Sequence, residues 1–228
     1  VNAPLTPGLV FDERTHQHFL DGVELPSITR VLRMAGIDVF PRAEFVSSEA
    51  MARAAERGRA VHEATALDDM GDLDPETVDP LVAGYLEGWR RFRADTKFVP
   101  DPRFTEAPLA SGLMGYAGIP DRGGHFPNPA AAGRDIGDLI ANRVAQDFPA
   151  VVEIKAVTEL HDRIGIQLAA QGKLLAEHGF FAVKHVAVQL RPDGTYRMRE
   201  YLGPLDREMF FSALRIVTWR LNHGEAIQ

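Results

Sequence analysis

The sequence predicts a single α/β domain, and three observations predict it. The chain has 228 residues, 45% hydrophobic and 25% charged, ordinary proportions for one folded domain with a sizeable core. Segments with apolar residues at helical spacing alternate with short apolar runs bounded by turn residues. One such run, Val151 to Ala156, places Glu153 and Lys155 on one face and Val152 and Ile154 on the other, because strand side chains alternate. No internal repeat or linker divides the chain, so residues 1–228 read as one domain.

The elements follow in order. Leu9 to Phe11 and His18 to Leu20 read as a hairpin within residues 9–26, with Asp21-Gly22 as the next turn. Pro26-Ser27-Ile28-Thr29 opens a helix to about Ala35, with Ser27 as the cap and Gly36 past its end. Ser47 or Ser48 opens a second helix over 48–67, on which Met51, Ala55, Gly58 and His62 share a face expected to turn inward. A histidine there is either a satisfied core residue or a ligand. Asp68 to Asp79 reads as a solvated acidic loop. Asp79-Pro80 opens a helix to about Thr96, buried along Leu81, Tyr85, Trp89 and Phe92. Arg90, Arg91 and Arg93 lie off that stripe, facing solvent or phosphates.

Phe104 to Leu109 and Leu113 to Asp121 read as an antiparallel pair joined at Ser111-Gly112, with Glu106 on the first strand and Asp121 at the end of the second. Residues 123–150 read as a loop-rich insert with helical character from Asp135 to Phe148. Asp162 opens a helix to about His178 on which Gln167 and Gln171 stand one turn apart. Both glutamines need hydrogen-bond partners, and a backbone carbonyl is the favoured one for Gln171. A hairpin, His185 to Leu190 and Tyr196 to Tyr201, precedes a last helix from Asp206 to Asn222.

Composition narrows the chemistry. The chain has no cysteine, which removes disulfides, thiolate zinc sites and iron–sulfur clusters. It shows neither a long apolar run nor a secretory pattern, so no membrane and a cytoplasmic location are expected. A net charge of −7 argues against gripping nucleic acid by phosphate neutralisation alone. Arg90, Arg91, Arg93 and Lys97 remain as a candidate basic groove. The charged pair on the strand at 151–156 needs a partner, because an isolated buried charge is costly. A divalent cation shared with Asp121 would supply one.

Pro120-Asp121, then Glu153-Ile154-Lys155, with His62 upstream in Gly58-Arg59-Ala60-Val61-His62-Glu63 and Gln167 downstream, resembles the PD-(D/E)XK nuclease superfamily in its RecB-like and phage exonuclease branch. The opening hairpin followed by Leu-Pro-Ser-Ile-Thr is similar to the same branch. That branch usually carries Tyr four residues after the glutamine; here the position holds Gln171. The resemblance implies a restriction-endonuclease-like core, a central mixed β-sheet flanked by helices, with hairpin 9–26 and insert 123–150 as embellishments. It implies a Mg²⁺- or Mn²⁺-dependent deoxyribonuclease using one or two ions, an exonuclease rather than an endonuclease. Asp121 and Glu153 would hold the cation, with the Ile154 carbonyl as a further ligand and His62 binding or positioning a second ion. Lys155 would orient the attacking water, and Gln167 would contact Lys155, water or phosphate. Glu106 is either a supporting carboxylate near the metal or an edge-strand residue. The implied partners are DNA with a free end, and a second copy or a phage recombination protein. The alternatives are a non-catalytic nucleic-acid-binding or assembly protein on the same fold, and a hydrolase of another phosphate ester.

Overall fold

Alternation decides both faces of the central strand. The computed structural model describes residues 5–37 and 48–224. Its main sheet joins β4 (Val99–Thr105), β7 (Arg122–Pro127), β8 (Asp147–Lys155), β9 (Lys184–Leu190) and β10 (Tyr196–Glu200) in the order β10-β9-β8-β7-β4. β8 and β9 run parallel and every other neighbouring pair is antiparallel, so the sheet is mixed. Val152, Ile154, Val186 and Val188 face α2 (Ser48–Met70) and α3 (Pro80–Thr96), packing with Val61, Trp89 and Phe92. Val151 and Ala187 face the other layer, made by α1 (Ile28–Met34), α5 (Ile164–Glu177) and α6 (Asp206–Asn222). Helices thus cover both faces, and Glu153 and Lys155 lie under α5 instead of facing water.

Smaller sheets sit beside this sandwich. β1 (Leu9–Asp12), β2 (Gln17–Leu20) and β3 (Val23–Leu25) form a three-stranded meander, one strand more than the expected hairpin. β5 (Leu109–Ser111) pairs with β6 (Tyr116–Gly118). Ser27 caps α1 by accepting from the Arg30 N–H, and Asp79 caps α3 by accepting from the Leu81 N–H. No helix among the described residues is long and apolar enough to cross a membrane.

Several expectations need correction. The expected pairing of 104–109 with 113–121 holds in part: β5 pairs antiparallel with β6, with Leu109 opposite Gly118, while Phe104 and Thr105 belong to β4, which pairs with β7. Residues 123–127, expected as loop, form a core strand. Gly123 and Gly124 serve there because a Cβ would lie 2.7 Å from Phe104 Cβ and 2.5 Å from Phe98 Cζ. Of the expected insert 123–150 only residues 128–146 leave the sheet, because β8 already begins at Asp147; they carry the short helix α4 (Ile136–Ala141), capped by Asp135, in place of the helical character expected to Phe148. The face of α2 bearing Met51 and Ala55 is exposed, and burial begins at Val61. The proposed cap at Ser47 or Ser48 falls outside the described residues and side chains. Leu81 is exposed and Val82 takes its place in the core. Asp162 does not cap α5; its carboxylate accepts from Arg199 instead.

Candidate metal centre

The site forms where β7 stops and β8 continues. Arg122, the first residue of β7, pairs with Val152, so Glu153, Ile154 and Lys155 extend past that partner. Asp121, one residue before β7, fills the gap: its Oδ2 accepts from the Ile154 N–H at 2.6 Å. A side chain thereby replaces the missing ladder bond and pins the carboxylate at the strand end. On the other side of β7, the Glu106 N–H donates to the Asp121 carbonyl at 3.1 Å, just past β4. Glu106 has φ of 48°, a left-handed conformation uncommon for a residue with a Cβ. Such strain costs on the order of 1–3 kcal/mol and persists only where surrounding contacts hold it.

His62 reaches this point from α2. Its Nδ1 lies 3.1 Å from Glu106 Oε1 and 3.4 Å from Asp121 Oδ1. One ligand atom from each of His62, Glu106 and Asp121 lies within 4.8 Å of the others, a grouping able to hold a metal ion. Burial disfavours the charged form of His62, but Asp121, Glu106 and Glu153 outweigh it and raise its pKa to about 9. Burial and the neighbouring Glu153 raise Asp121 to about 8, against the opposing pull of His62. Burial alone would raise Glu106, yet His62 and Arg122 hold it below its ordinary value.

Glu153 is close by but committed elsewhere. Its Oε1 accepts from Lys155 Nζ at 2.5 Å and from Gln167 Nε2 at 2.7 Å, and its Oε2 accepts from Gln171 Nε2 at 2.6 Å. Burial would lower Lys155, but Glu153 and Asp121 raise it, so the ammonium stays charged. The expected partners of the glutamines are therefore corrected. Gln167 donates to Glu153, and so does Gln171, in place of the favoured backbone carbonyl. Glu106, expected as a supporting residue or an edge carboxylate, sits inside the possible ligand group. At Ile154 the N–H is what meets Asp121, and strand geometry turns its carbonyl to the same edge.

Arg122, Asp69 and Thr65, which join the candidate site to α2, escape a reading of the sequence. Arg122 is fully buried, and its guanidinium donates to Asp69 Oδ2 at 2.6 Å, Thr65 Oγ1 at 2.9 Å, Glu106 Oε1 at 2.9 Å and the Asp121 carbonyl at 2.6 Å. Asp69 also accepts from Trp89 Nε1 and Arg93 Nη1. It belongs to α2 and is buried, which corrects the reading of residues 68–79 as a solvated loop. Arg90 and Arg93 pair with Asp68 and Asp69; Arg90 still lies on the solvated helix face, and Arg93 is half-buried. The available signal was Arg122 directly after Asp121, but nothing local marks its partner 53 positions upstream. His125 pairs with Asp147, away from this cluster, as expected of a non-ligand.

The donor set fits a divalent cation. Two carboxylate oxygens suit Mg²⁺ or Mn²⁺, and the imidazole nitrogen favours a transition ion over Mg²⁺. Comparison with protein-family models gives no match, and comparison with curated proteins gives none either.

Proposed function

We propose that the chain is a divalent-cation-dependent deoxyribonuclease built on a PD-(D/E)XK core. One observation carries the reading. His62, Glu106, Asp121, Glu153 and Lys155, from four separate stretches of chain, meet at the end of β8. Buried and half-buried titratable groups that converge on one point with shifted pKa values are candidates for a functional site. His62, Glu106 and Asp121 would hold the cation, with the Ile154 carbonyl facing the same edge. A bound divalent cation would supply Lewis acidity toward the phosphate and a nucleophile from water at neutral pH.

The residues of the chain do the rest. Asp121 keeps its position through the Ile154 N–H, and Glu106 keeps its own through Arg122 and His62. Lys155 presents a fixed positive charge for the negative charge that develops on the phosphate. Gln167 and Gln171 lock Glu153, which in turn locks Lys155. The exonuclease form is proposed from the sequence resemblance.

The saturation of Glu153 favours one other reading. A carboxylate that already accepts from three donors has little capacity left for a metal, as in a non-catalytic nucleic-acid-binding protein on this fold. Incubation of linear and circular DNA with Mg²⁺ or Mn²⁺ separates the two, with Lys155→Ala as control. Loss of linear DNA alone is the expected result. Nicking of circles would make the protein an endonuclease. Intact DNA in both cases would favour the non-catalytic reading.

A further inference from the structure

A cavity of about 180 Å³ lies one side chain away from Glu153, lined in part by Phe11, His16, His18, Ile119, Gln167 and Gln171. Among the described residues, three of these side chains carry buried polar atoms without a partner: both ring nitrogens of His18, and Oε1 of Gln167 and of Gln171. The three residues are only 3%, 6% and 2% exposed. The orientation of the glutamines follows from their contacts. An ionised carboxylate accepts and never donates, so each glutamine must turn its NH₂ toward Glu153 and its oxygen away. Native interiors leave few such atoms unsatisfied. Three side chains of this kind around one cavity indicate a ligand that brings hydrogen-bond donors.

We propose that the cavity receives a nucleobase of the substrate strand, held through its N–H groups by Gln167, Gln171 and His18. This rests on the nucleic-acid reading given above and adds a base-binding position to it. The lining opposes a phosphate, because it contains no lysine or arginine and presents two carbonyl dipoles backed by the Glu153 carboxylate. It suits a flat ring. Phe11 stands edge-on to His16, with ring centroids 5.8 Å apart, and Ile119 adds an apolar surface. Base–aromatic stacking of this kind tolerates any base. Neutral His18 offers one donor and one acceptor, enough to meet a base edge. The volume lies below the roughly 300–1,000 Å³ of drug-sized sites, which limits the occupant to one ring system. Gln167 and Gln171 bond Glu153 and also line the cavity, so a seated base would place its strand beside the candidate ligand cluster.

The test compares two short single-stranded oligonucleotides, one carrying bases and one abasic throughout with the same backbone. Fluorescence anisotropy in EDTA reads binding without turnover. The base-bearing strand is expected to bind wild-type protein about tenfold more tightly or better. In His18→Leu and in Phe11→Ala the ratio is expected to fall toward 1. A wild-type ratio near 1, no binding of either strand, or a ratio kept in both variants overturns the proposal. Hydrolysis of the base-bearing strand with Mn²⁺ is followed separately. If it does not occur, the nuclease reading fails while the binding ratio still decides the cavity.

Discussion

Arg122 shows how a single side chain organises the centre. Its guanidinium makes four hydrogen bonds, to Asp69 and Thr65 on α2 and to Glu106 and the Asp121 carbonyl at the candidate ligand cluster. Arg122→Leu would leave Asp69 buried and short of a partner, at a cost of about 3–5 kcal/mol. Urea denaturation should show that loss as a lower midpoint with an unchanged slope. Lys155→Ala should leave cation binding in place and lower the hydrolytic rate about 100- to 1,000-fold, read from single-turnover kinetics. His18 gives a pH prediction. Burial, with His16 nearby, lowers its pKa from 6.5 to about 4. Between those values the unfolded chain binds a proton that the folded chain refuses, so stability falls as pH drops from about 6.5 to about 4 and levels off below. Each unit is worth about 1.4 kcal/mol. Thermal melts of His18→Leu across that range should show a shallower decline than wild type; parallel declines would remove His18 from the account.

At the scale of elements, β7 is the most instructive strand. Gly123-Gly124 reads locally as loop, yet both glycines lie in a strand pressed against Phe98 and Phe104. A Cβ at Gly124 would also come within 2.5 Å of the Val99 carbonyl oxygen. Gly124→Ala should therefore cost about 1–3 kcal/mol by overpacking, measured by denaturation, where the same change in a loop would be nearly silent. β8 was legible in the sequence because its charges alternate with valine and isoleucine, a pattern carried within the strand itself. α1 and α3 were legible through Ser27 and Asp79, whose caps act over two or three residues. The contacts that escaped are distant in sequence. Asp69 with Arg122, His62 with Glu106, and Gln171 with Glu153 each join groups that local pattern treats separately. Acidic residues at 68 and 69 look solvated until their arginines are in view. The residues that gather at the end of β8 were identifiable from motif spacing, while their grouping, Glu106 beside His62 and Asp121 and Glu153 with Lys155, required coordinates.

For the whole molecule, charge and layering set how a substrate can approach. The chain carries −7, and in the candidate basic groove Arg90 and Arg93 are already bound to acidic partners, which weakens that groove's hold on phosphates. A protein making six to ten phosphate contacts loses about 10³–10⁵ in affinity between roughly 50 and 200 mM salt. This one should lose less than about tenfold over that range in an equilibrium DNA-binding titration. The two helical layers close both faces of the sheet and leave its β8 end as the place where the candidate ligand groups gather. The most direct test of that centre is a Mn²⁺ titration followed by electron paramagnetic resonance, on wild-type protein, Asp121→Ala and Glu106→Gln. Tight Mn²⁺ binding is expected in wild type and at least about tenfold weaker binding in both variants. Absent binding in wild type, or equal binding in all three proteins, would contradict that expectation.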